Sequence, residues 1–264
     1  MDGEVAIVTG ASRGIGLATG RALAARGAKV IAVSRFISPV SDKDGTSEFD
    51  AGFDRVTADV GDWRSIEPAI TGVLERVDRV DVLVNCAGVR GTRGPISDFD
   101  PEDFRLTLAI NTLGPFHLIK LVLPGMVERA SGVIINISSG AGHRPRPHRS
   151  MYGTSKAALD HMSQAVAVEV KDLGVRVHVF HPGPVDTALF NTSRNDPSNT
   201  QEERDAMEAR IRSGELQSPV EPAAALAWLA SSDGSAFKEI IVPWNDREQR
   251  ASIRVLAGLP TNTA

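Results

Sequence analysis

The stretch that decides the fold lies near the start of the chain, where residues 5–16 read Val-Ala-Ile-Val-Thr-Gly-Ala-Ser-Arg-Gly-Ile-Gly. The apolar run predicts a buried strand, and the pattern from Ile15 to Arg26 predicts a helix that stops at Gly27. A glycine-rich turn between a strand and a helix lets the backbone approach a pyrophosphate and points helix N–H groups at it. The spacing is G-x3-G-x-G rather than G-x-G-x-x-G, so the loop alone is equally consistent with a plain tight turn.

Short apolar runs alternate with amphipathic segments along the rest of the chain. Runs of this kind are typical of parallel strands buried on both faces, and they predict strands at Glu4–Thr9, Lys29–Ser34, Val80–Asn85, Gly132–Ile137, Val175–Phe180 and Glu239–Pro243. Helices are predicted from Asp62 to Val77 with a kink at Pro68, from Pro101 to Val127 with an interruption at Gly114-Pro115, and from Met151 to Leu173. The alternation predicts one α/β domain over residues 1–264: a Rossmann-like, doubly wound parallel β-sheet with helices on both faces.

One polar segment, residues 191–218, breaks this alternation. It is poor in large apolar side chains and contains one predicted helix near Glu202–Ser213. We interpret it as a mobile flap over the site and not as a separate domain.

Composition limits the function classes. A formal net charge of −4 argues against a general nucleic-acid binder, since phosphate binding requires a basic surface. No signal peptide is recognised and no apolar stretch approaches the roughly 20 residues that span a bilayer, so we expect a soluble, cytoplasmic protein without a membrane partner.

The single cysteine, Cys86, cannot form an internal disulfide, which fits a reducing compartment. The histidines and Cys86 show no metal-ligand spacing, so no metal site is predicted.

The end of the second strand bears on the choice of cofactor. It reads Ser34-Arg35, without the acidic residue that would bind the ribose 2′-hydroxyl of NAD, and Arg13 lies within the glycine loop. Two guanidinium groups near the 2′ position suit a phosphate, which predicts NADP(H) in preference to NAD(H). The alternative is that both arginines are ordinary solvated surface residues.

Tyr152 is the only tyrosine in the chain, and Lys156 follows it four residues later on a predicted helix. Their side chains therefore share one face of that helix. A phenol with the ordinary pKa of about 10 is a poor acid–base catalyst at neutral pH, but a neighbouring ammonium favours its ionised form. The plain alternative is a half-buried tyrosine supported by an i,i+4 lysine. Ser138 and Ser139 follow a predicted strand at the edge where α/β sheets bind ligands, and the spacing alone does not choose between these two hydroxyls.

At this point the chain resembles a classical short-chain dehydrogenase/reductase in the order and spacing of its motifs over nearly its whole length. The matching residues are the loop Thr9–Gly16, the pair Asp59-Val60, Asn85-Cys86-Ala87-Gly88 in place of Asn-Asn-Ala-Gly, Asn111, Ser139, Tyr152, Lys156 and the segment Pro182-Gly183-Pro184-Val185-Asp186-Thr187. The resemblance implies a cofactor site formed by Gly10, Ser12, Arg13, Gly14, Ile15, Gly16, Ser34, Arg35, Asp59, Val60, Asn85, Ala87, Gly88, Tyr152, Lys156, Pro182, Gly183, Val185 and Thr187.

The same resemblance implies a division of catalytic roles. Ser139, favoured over Ser138 by the family pattern, would polarise a substrate carbonyl, and Tyr152 would deliver or remove the proton. Lys156 would hold the ribose hydroxyls and favour the phenolate, while Asn111 would anchor, through its backbone, a water that links Lys156 to solvent. The hydride would belong to the cofactor.

The chain departs from the family in several places. The usual Asp-Gly-Gly after the last strand is absent and residues 244–264 form an atypical tail, although a homodimer or homotetramer is still expected. His181 stands where the family has asparagine, which we interpret as a packing variation. Residues 143–149 hold three arginines and two histidines; they form either an anion-recognising lip of the pocket or, in the interpretation we prefer, a solvated or interface loop.

The function expected from the sequence is therefore an NADP-dependent oxidoreductase that interconverts a ketone or aldehyde and an alcohol. The expected substrate is a molecule of small to medium size that can carry an anionic group. Two alternatives stay open. One is a non-catalytic NADP-binding regulatory protein, and the other is a family member that catalyses dehydration or epimerisation on the same scaffold.

Overall fold

A computed structural model describes residues 1–35 and 52–260 of the chain. Its centre is a parallel sheet of seven strands in the order β3-β2-β1-β4-β5-β6-β7. The strands are β1 Val5–Thr9, β2 Lys29–Ser34, β3 Asp54–Thr57, β4 Val82–Asn85, β5 Gly132–Ile137, β6 Val175–Phe180 and β7 Ile241–Val242. The predicted doubly wound parallel sheet of a single Rossmann-like domain is confirmed. The strand order reverses between β1 and β4, and ligands of such sheets bind at that switch point, beyond the carboxyl ends of the strands.

Helices cover both faces of this sheet. They are α1 Gly14–Ala24, α2 Trp63–Leu74, α3 Pro101–Leu108, α4 Gly114–Glu128, α5 Ser150–Glu169, α6 Ala188–Arg194, α7 Gln201–Arg212, α8 Val220–Ala230 and α9 Arg247–Leu256. Two apolar cores result, one on each face, and β1 contributes to both: Ala6 and Val8 lie in one core, Val5 and Ile7 in the other. Burial on both faces is why the strands read as continuous apolar runs.

Strand β3 is the element that the apolar pattern does not predict. It lies at the edge of the sheet, paired only with β2 among the described residues. Of its four residues Val56 alone is buried. An edge strand with one buried side chain has no apolar run to signal it, because half of its surface stays in water.

The helical run from Pro101 to Glu128 is interrupted by a π-helical turn at Ala109–Leu113, directly before the Gly114-Pro115 interruption that the sequence predicts. This run is long and apolar enough, by length and composition, to cross a membrane. The expectation that no apolar stretch approaches spanning length is therefore wrong by that measure. More than half of its most apolar window is buried inside the protein, which is how a core helix packs against a sheet.

The segment 191–218 contains more helix than predicted. Helix α7 corresponds to the predicted Glu202–Ser213, and it begins with a capping box in which Thr200 and Glu203 satisfy each other's backbone N–H groups. The shorter α6 precedes it and is capped by Thr187, whose hydroxyl accepts from the N–H of Phe190 at 3.3 Å. Its seven residues hold one apolar stretch, Ala188-Leu189-Phe190, and are too few to show the apolar periodicity that would reveal such a helix.

The atypical tail is folded onto the domain at its start. The Trp244 side chain is fully buried, and its indole N–H donates to Gln217 at 2.6 Å. Helix α9 follows, capped by Asp246, and Ile253 inserts into one of the two cores. Residues 244–260 therefore complete the core beside β6 and β7.

Candidate active site

The glycine loop after β1 packs against the chain that follows β4. Gly10 has φ +65°, and a side chain there would place its Cβ 2.8 Å from the Cα of Ala87. The hydroxyl of Thr9 accepts from the backbone N–H groups of Cys86 and Ala87, at 3.0 and 3.1 Å. Only glycine permits both this backbone conformation and this approach. The switch point between β1 and β4 is thus formed largely by backbone atoms.

The start of α1 is open toward the same crevice. Arg13 is the N-cap residue, and no side chain caps the first turn at Gly14, Ile15 and Gly16. A side chain at Gly14 would contact Thr187 at 3.2 Å, so the segment after β6 faces the loop across the crevice. Backbone N–H groups at an uncapped helix start, with glycines on either side, fit a pyrophosphate.

Ser34 and Arg35 lie at the end of β2, as the sequence predicts, and Ser34 pairs with Thr57 of β3. The guanidinium of Arg35 is 3.8 Å from the carboxylate of Asp59. Asp59 in turn accepts from the N–H of Gly61 at 2.9 Å and so shapes the turn before α2. The segment after Arg35, residues 36–51, lies outside the described residues.

Asn85 and Val60, two further predicted cofactor contacts, have buried side chains with partners inside the protein. Asn85 donates to Asn136 at 2.8 Å, and Asn136 donates to Ser163 of α5 at 2.8 Å. Val60 packs into the core, and its carbonyl accepts from His117 at 2.8 Å, which makes Nδ1 of that ring the protonated nitrogen. The amide chain from Asn85 to Ser163 joins β4, β5 and α5 below the crevice, a link that motif spacing does not reveal.

Asn111 lies in the π-helical turn and is fully buried. Its side-chain amide accepts from the N–H of Val89 and donates to the carbonyl of the same residue, at 2.9 and 2.8 Å. It also donates to Ser155 at 2.9 Å. Asn111 therefore holds the loop after β4 against the helix that carries Tyr152 and Lys156, through its side chain. The predicted contact of its backbone with a water stays a prediction.

Tyr152 and Lys156 occupy one face of α5. The Lys156 ammonium is buried, donates to the carbonyl of Ile137 at 2.8 Å, and lies 5.9 Å from the centroid of the Tyr152 ring. Gly88 leaves room beside that ammonium, since a Cβ there would lie 3.8 Å from Nζ. The buried cation beside a half-exposed phenol is the arrangement that the i,i+4 spacing predicts.

The two adjacent serines have different environments. Ser138 is buried, and its hydroxyl lies 3.4 Å from the carbonyl of Lys156. Ser139 is partly exposed at the end of β5, and its hydroxyl accepts from the N–H of Ala141 at 3.2 Å. The accessible hydroxyl is therefore that of Ser139, the one which the family pattern favours.

The segment after β6 closes the opposite side of the crevice. Gly183 has φ +76°, Pro182 accepts from the side chain of Gln217 at 3.2 Å, and Val185 forms an isolated bridge with the same residue. Thr187 begins α6. Gln217 thus attaches the end of the predicted flap to the segment that the resemblance places beside the nicotinamide.

Three side chains that are far apart in sequence meet beside α5. The Nε2 atoms of His143 and His181 lie 2.7 and 3.1 Å from the same carboxylate oxygen of buried Asp160. Their three candidate ligand atoms lie within 4.8 Å of one another, so the expectation of no metal site, based on spacing along the chain, missed this cluster. Both Nε2 atoms are within hydrogen-bond distance of that oxygen, which can accept from two N–H donors; the packing role of His181 stays a prediction.

A second cluster consists of three arginines, Arg90, Arg93 and Arg149, which interact with one another electrostatically beside Tyr152. Arg90 lies over the Tyr152 ring, with its guanidinium carbon 5.5 Å from the ring centroid, and Arg149 precedes the tyrosine by three residues. Arg93 is ion-paired with Glu203 of α7 at 2.9 Å. The composition of 143–149 drew attention to Arg149, but Arg90 and Arg93 lie in a glycine-containing loop with no motif of their own.

Comparison with known proteins identifies the family. A family model described as short chain dehydrogenase matches residues 4–198. The 2-(R)-hydroxypropyl-CoM dehydrogenase of Xanthobacter autotrophicus is 35% identical over 237 residues, which cover 88% of this chain and 93% of that protein. The chain therefore belongs to the short-chain dehydrogenase family and is an oxidoreductase of the dehydrogenase/reductase kind.

Two solved structures bear on the cofactor. A 3-ketoacyl-(acyl-carrier-protein) reductase from Brucella melitensis complexed with NADH has a TM-score of 0.77 at 27% identity, covering 91% of this chain and 96% of that chain. A metagenomic short-chain oxidoreductase in complex with NADP has a TM-score of 0.72 at 30% identity, covering 92% and 97%. Together with the open start of α1, these neighbours support a nicotinamide cofactor in this protein.

Proposed function

We propose that this protein is an NADP-dependent oxidoreductase that interconverts a ketone or aldehyde and an alcohol, with Tyr152 as the general acid and base. The observation that carries the proposal is the buried Lys156 ammonium 5.9 Å from the Tyr152 ring centroid, on the side of α5 that faces the switch point. A fixed cation beside a phenol favours the ionised form that must accept a proton during alcohol oxidation.

The residues present fit a nicotinamide dinucleotide. The uncapped first turn of α1 suits the pyrophosphate, Gly88 and Lys156 suit the ribose hydroxyls, and Thr187 lies across the crevice from Gly14. When bound, the cofactor supplies or accepts the hydride. Arg13 and Arg35 flank the expected position of the ribose 2′ group, and their charge supports a preference for NADP(H).

The chain's own residues perform the proton chemistry. In the reducing direction the hydroxyl of Ser139 donates a hydrogen bond to the substrate carbonyl, and the Tyr152 hydroxyl donates its proton to that oxygen. In the oxidising direction the Tyr152 phenolate takes the proton back. Lys156 stabilises the phenolate through its charge, and Asn111 keeps α5 and the loop after β4 in place around it.

The experiment is the replacement Tyr152→Phe, which removes the hydroxyl and keeps the ring. NADPH consumption with a panel of ketones, diketones, aldehydes and quinones is expected to fall by about 10³-fold, within the range of general acid–base catalysis. NADPH affinity, measured by fluorescence titration, is expected to stay within about threefold because the hydroxyl makes few of its contacts. Turnover that survives this change would overturn the proposal. NADPH binding without turnover in the unaltered protein would favour the regulatory or the dehydratase/epimerase alternative.

We further propose that the protein is a homodimer or homotetramer. The support is a set of large apolar side chains exposed on the last two helices, Val220 at 68%, Val255 at 68% and Leu256 at 63%. Apolar surface of this kind is more stable when another subunit covers it. Light scattering after size-exclusion chromatography measures the mass directly, and a monomer would contradict the proposal.

A further inference from the structure

The arginines around Tyr152 carry more positive charge than the described carboxylates near them neutralise. Arg93 and Arg149 share one carboxylate, that of Glu203, at 2.9 and 3.8 Å. Arg90 forms no ion pair with a described carboxylate and contacts the Tyr152 ring instead. Asp196 is a second described carboxylate that interacts electrostatically with Arg90 and Arg93, so three guanidinium groups face two carboxylates.

Burial makes this excess of charge significant. The side chains of Arg93 and Arg149 are only 5% and 15% exposed, and the Nε atoms of both are buried without a hydrogen-bond partner among the described residues. Taking a guanidinium out of water without a counter-charge costs free energy, and each unsatisfied donor adds to that cost. An anion placed between these groups would offset both costs.

The pKa values of the same groups record this environment. Burial, followed by repulsion from Arg90 and Arg93, lowers the pKa of the Arg149 guanidinium to about 10. Burial is also the main cause of the lowered pKa of Arg90. Guanidinium groups stay protonated at neutral pH, so Arg90 and Arg149 repel each other in the absence of an anion.

We propose that Arg90 and Arg149, supported by Arg93, form a subsite for an anionic group of the substrate: a carboxylate, sulfonate or phosphate carried close to the reacting carbonyl. This rests on the proposed function, because the Tyr152 hydroxyl locates the carbonyl. Arg90 lies against the ring of that tyrosine, and Arg149 lies one helical turn before it. A substrate whose carbonyl and anionic group are separated by a few atoms would therefore reach both Tyr152 and these arginines. Guanidinium groups bind such oxyanions in a bidentate manner.

A purely structural role for these arginines makes a different prediction. In that role they hold α7 over the crevice through Glu203, and their loss would weaken every substrate equally. Arg90 distinguishes the two roles because it takes no part in the contact with Glu203. Of the lip suggested by the composition of 143–149, only Arg149 belongs to this subsite, since Arg144 and Arg146 are exposed to solvent.

The first test compares matched acids and esters. Initial rates with NADPH are measured for acetoacetate against methyl acetoacetate, and for levulinate against methyl levulinate, at constant ionic strength. The variants are Arg149→Gln, Arg90→Gln and the control Arg144→Gln, an exposed residue of the same loop. Arg149→Gln and Arg90→Gln are expected to lower kcat/KM for a keto acid by about 10- to 100-fold, as expected for a lost charge-assisted contact, and for the ester by no more than about threefold. Equal losses for acid and ester would overturn the proposal.

The second test does not depend on turnover. The melting temperature of the NADPH complex is measured with and without methanesulfonate, with chloride replaced to keep ionic strength constant. The unaltered protein and Arg144→Gln are expected to be stabilised, while Arg149→Gln and Arg90→Gln lose that shift. A shift that persists in both of these variants overturns the subsite. An arginine-dependent shift in a protein that reduces none of the compounds supports the subsite and contradicts only the proposed reaction.

Discussion

The two sides of the crevice are built differently: the proposed cofactor side consists mainly of backbone and small residues, and the proposed substrate side consists of long charged side chains. On the cofactor side, backbone atoms and small residues approach one another closely, as Gly10 does with Ala87. On the substrate side, long charged side chains from separate segments meet around Tyr152, among them Arg90, Arg149 and Glu203. A surface of backbone tolerates little change, whereas a surface of long side chains can be altered one group at a time. Substitutions on the cofactor side are therefore expected to disturb packing, whereas substitutions on the substrate side are expected to alter single contacts. Substrate choice is expected to depend on the substrate side.

The largest effect is expected from Gly10→Val on the cofactor side. Any Cβ there would lie 2.8 Å from the Cα of Ala87, and the backbone has φ +65°. Overpacking and a side chain in the left-handed region together are expected to cost about 2–6 kcal/mol of unfolding free energy. Urea denaturation measures this loss. Gly52→Val is a suitable control because its Cβ would meet nothing within 4 Å; equal losses in the two variants would contradict the tight packing assigned to this side.

The next effect concerns cofactor choice on the same side. Arg35→Asp removes a cation from the expected 2′ position and places a second carboxylate near Asp59, which now lies 3.8 Å from the guanidinium. The ratio of kcat/KM for NADPH to that for NADH is expected to fall by about 100-fold, with Arg35→Gln giving about tenfold. Steady-state kinetics with both cofactors provide the measurement. An unchanged ratio would show that Arg35 does not face the 2′ group.

A smaller effect is expected from Glu203→Gln on the substrate side. The amide oxygen can still cap α7 at Thr200, but the ion pair with Arg93 is lost. Unfolding free energy is expected to fall by about 1–2 kcal/mol, and tryptic cleavage within α7 to become faster. Glu202→Gln, an exposed neighbour in the same turn, provides the control. Unaltered cleavage in Glu203→Gln would mean that Glu203 does not hold this helix over the crevice.

The smallest effect arises in the sheet that supports both sides. Nδ1 of His178 lies 2.8 Å from the carbonyl of Glu239, so it carries the proton, and Nε2 is buried without a partner. Burial lowers the His178 pKa from 6.5 to about 4. Because the folded-state pKa lies below the unfolded one, the unfolded chain binds more protons between these values, and stability falls as pH falls. Between pH 7 and about pH 5.5 this group is expected to cost about 1 kcal/mol. His178→Asn should flatten that part of the stability profile; a profile that keeps its slope would assign the loss to other groups.

Much of the cofactor side could be predicted from the sequence. The glycine loop, the end of β2 and the pair Tyr152 and Lys156 are local signals, each carried by residues close together in the chain. Strand β3 was missed because an edge strand with one buried residue has no apolar run. The short α6 was missed because its seven residues, which begin with the apolar Ala188-Leu189-Phe190, are too few to show a helical period. For Asn85, the motif pattern indicated a cofactor contact but gave no sign of the hydrogen bond from its side chain to Asn136 below the crevice.

The parallel α/β fold, the position of the glycine loop and the common helix face of Tyr152 and Lys156 follow from the amino-acid sequence alone. These features depend on periodicity and on spacing within one or two elements. Which charges lie close together depends on the folded arrangement: His143 and His181 meet at Asp160. Arg90 lies over the Tyr152 ring, while Arg93 and Arg149 share the carboxylate of Glu203. The physical reason is that ion pairs and buried charges depend on distances through space, and no spacing along the chain encodes those distances.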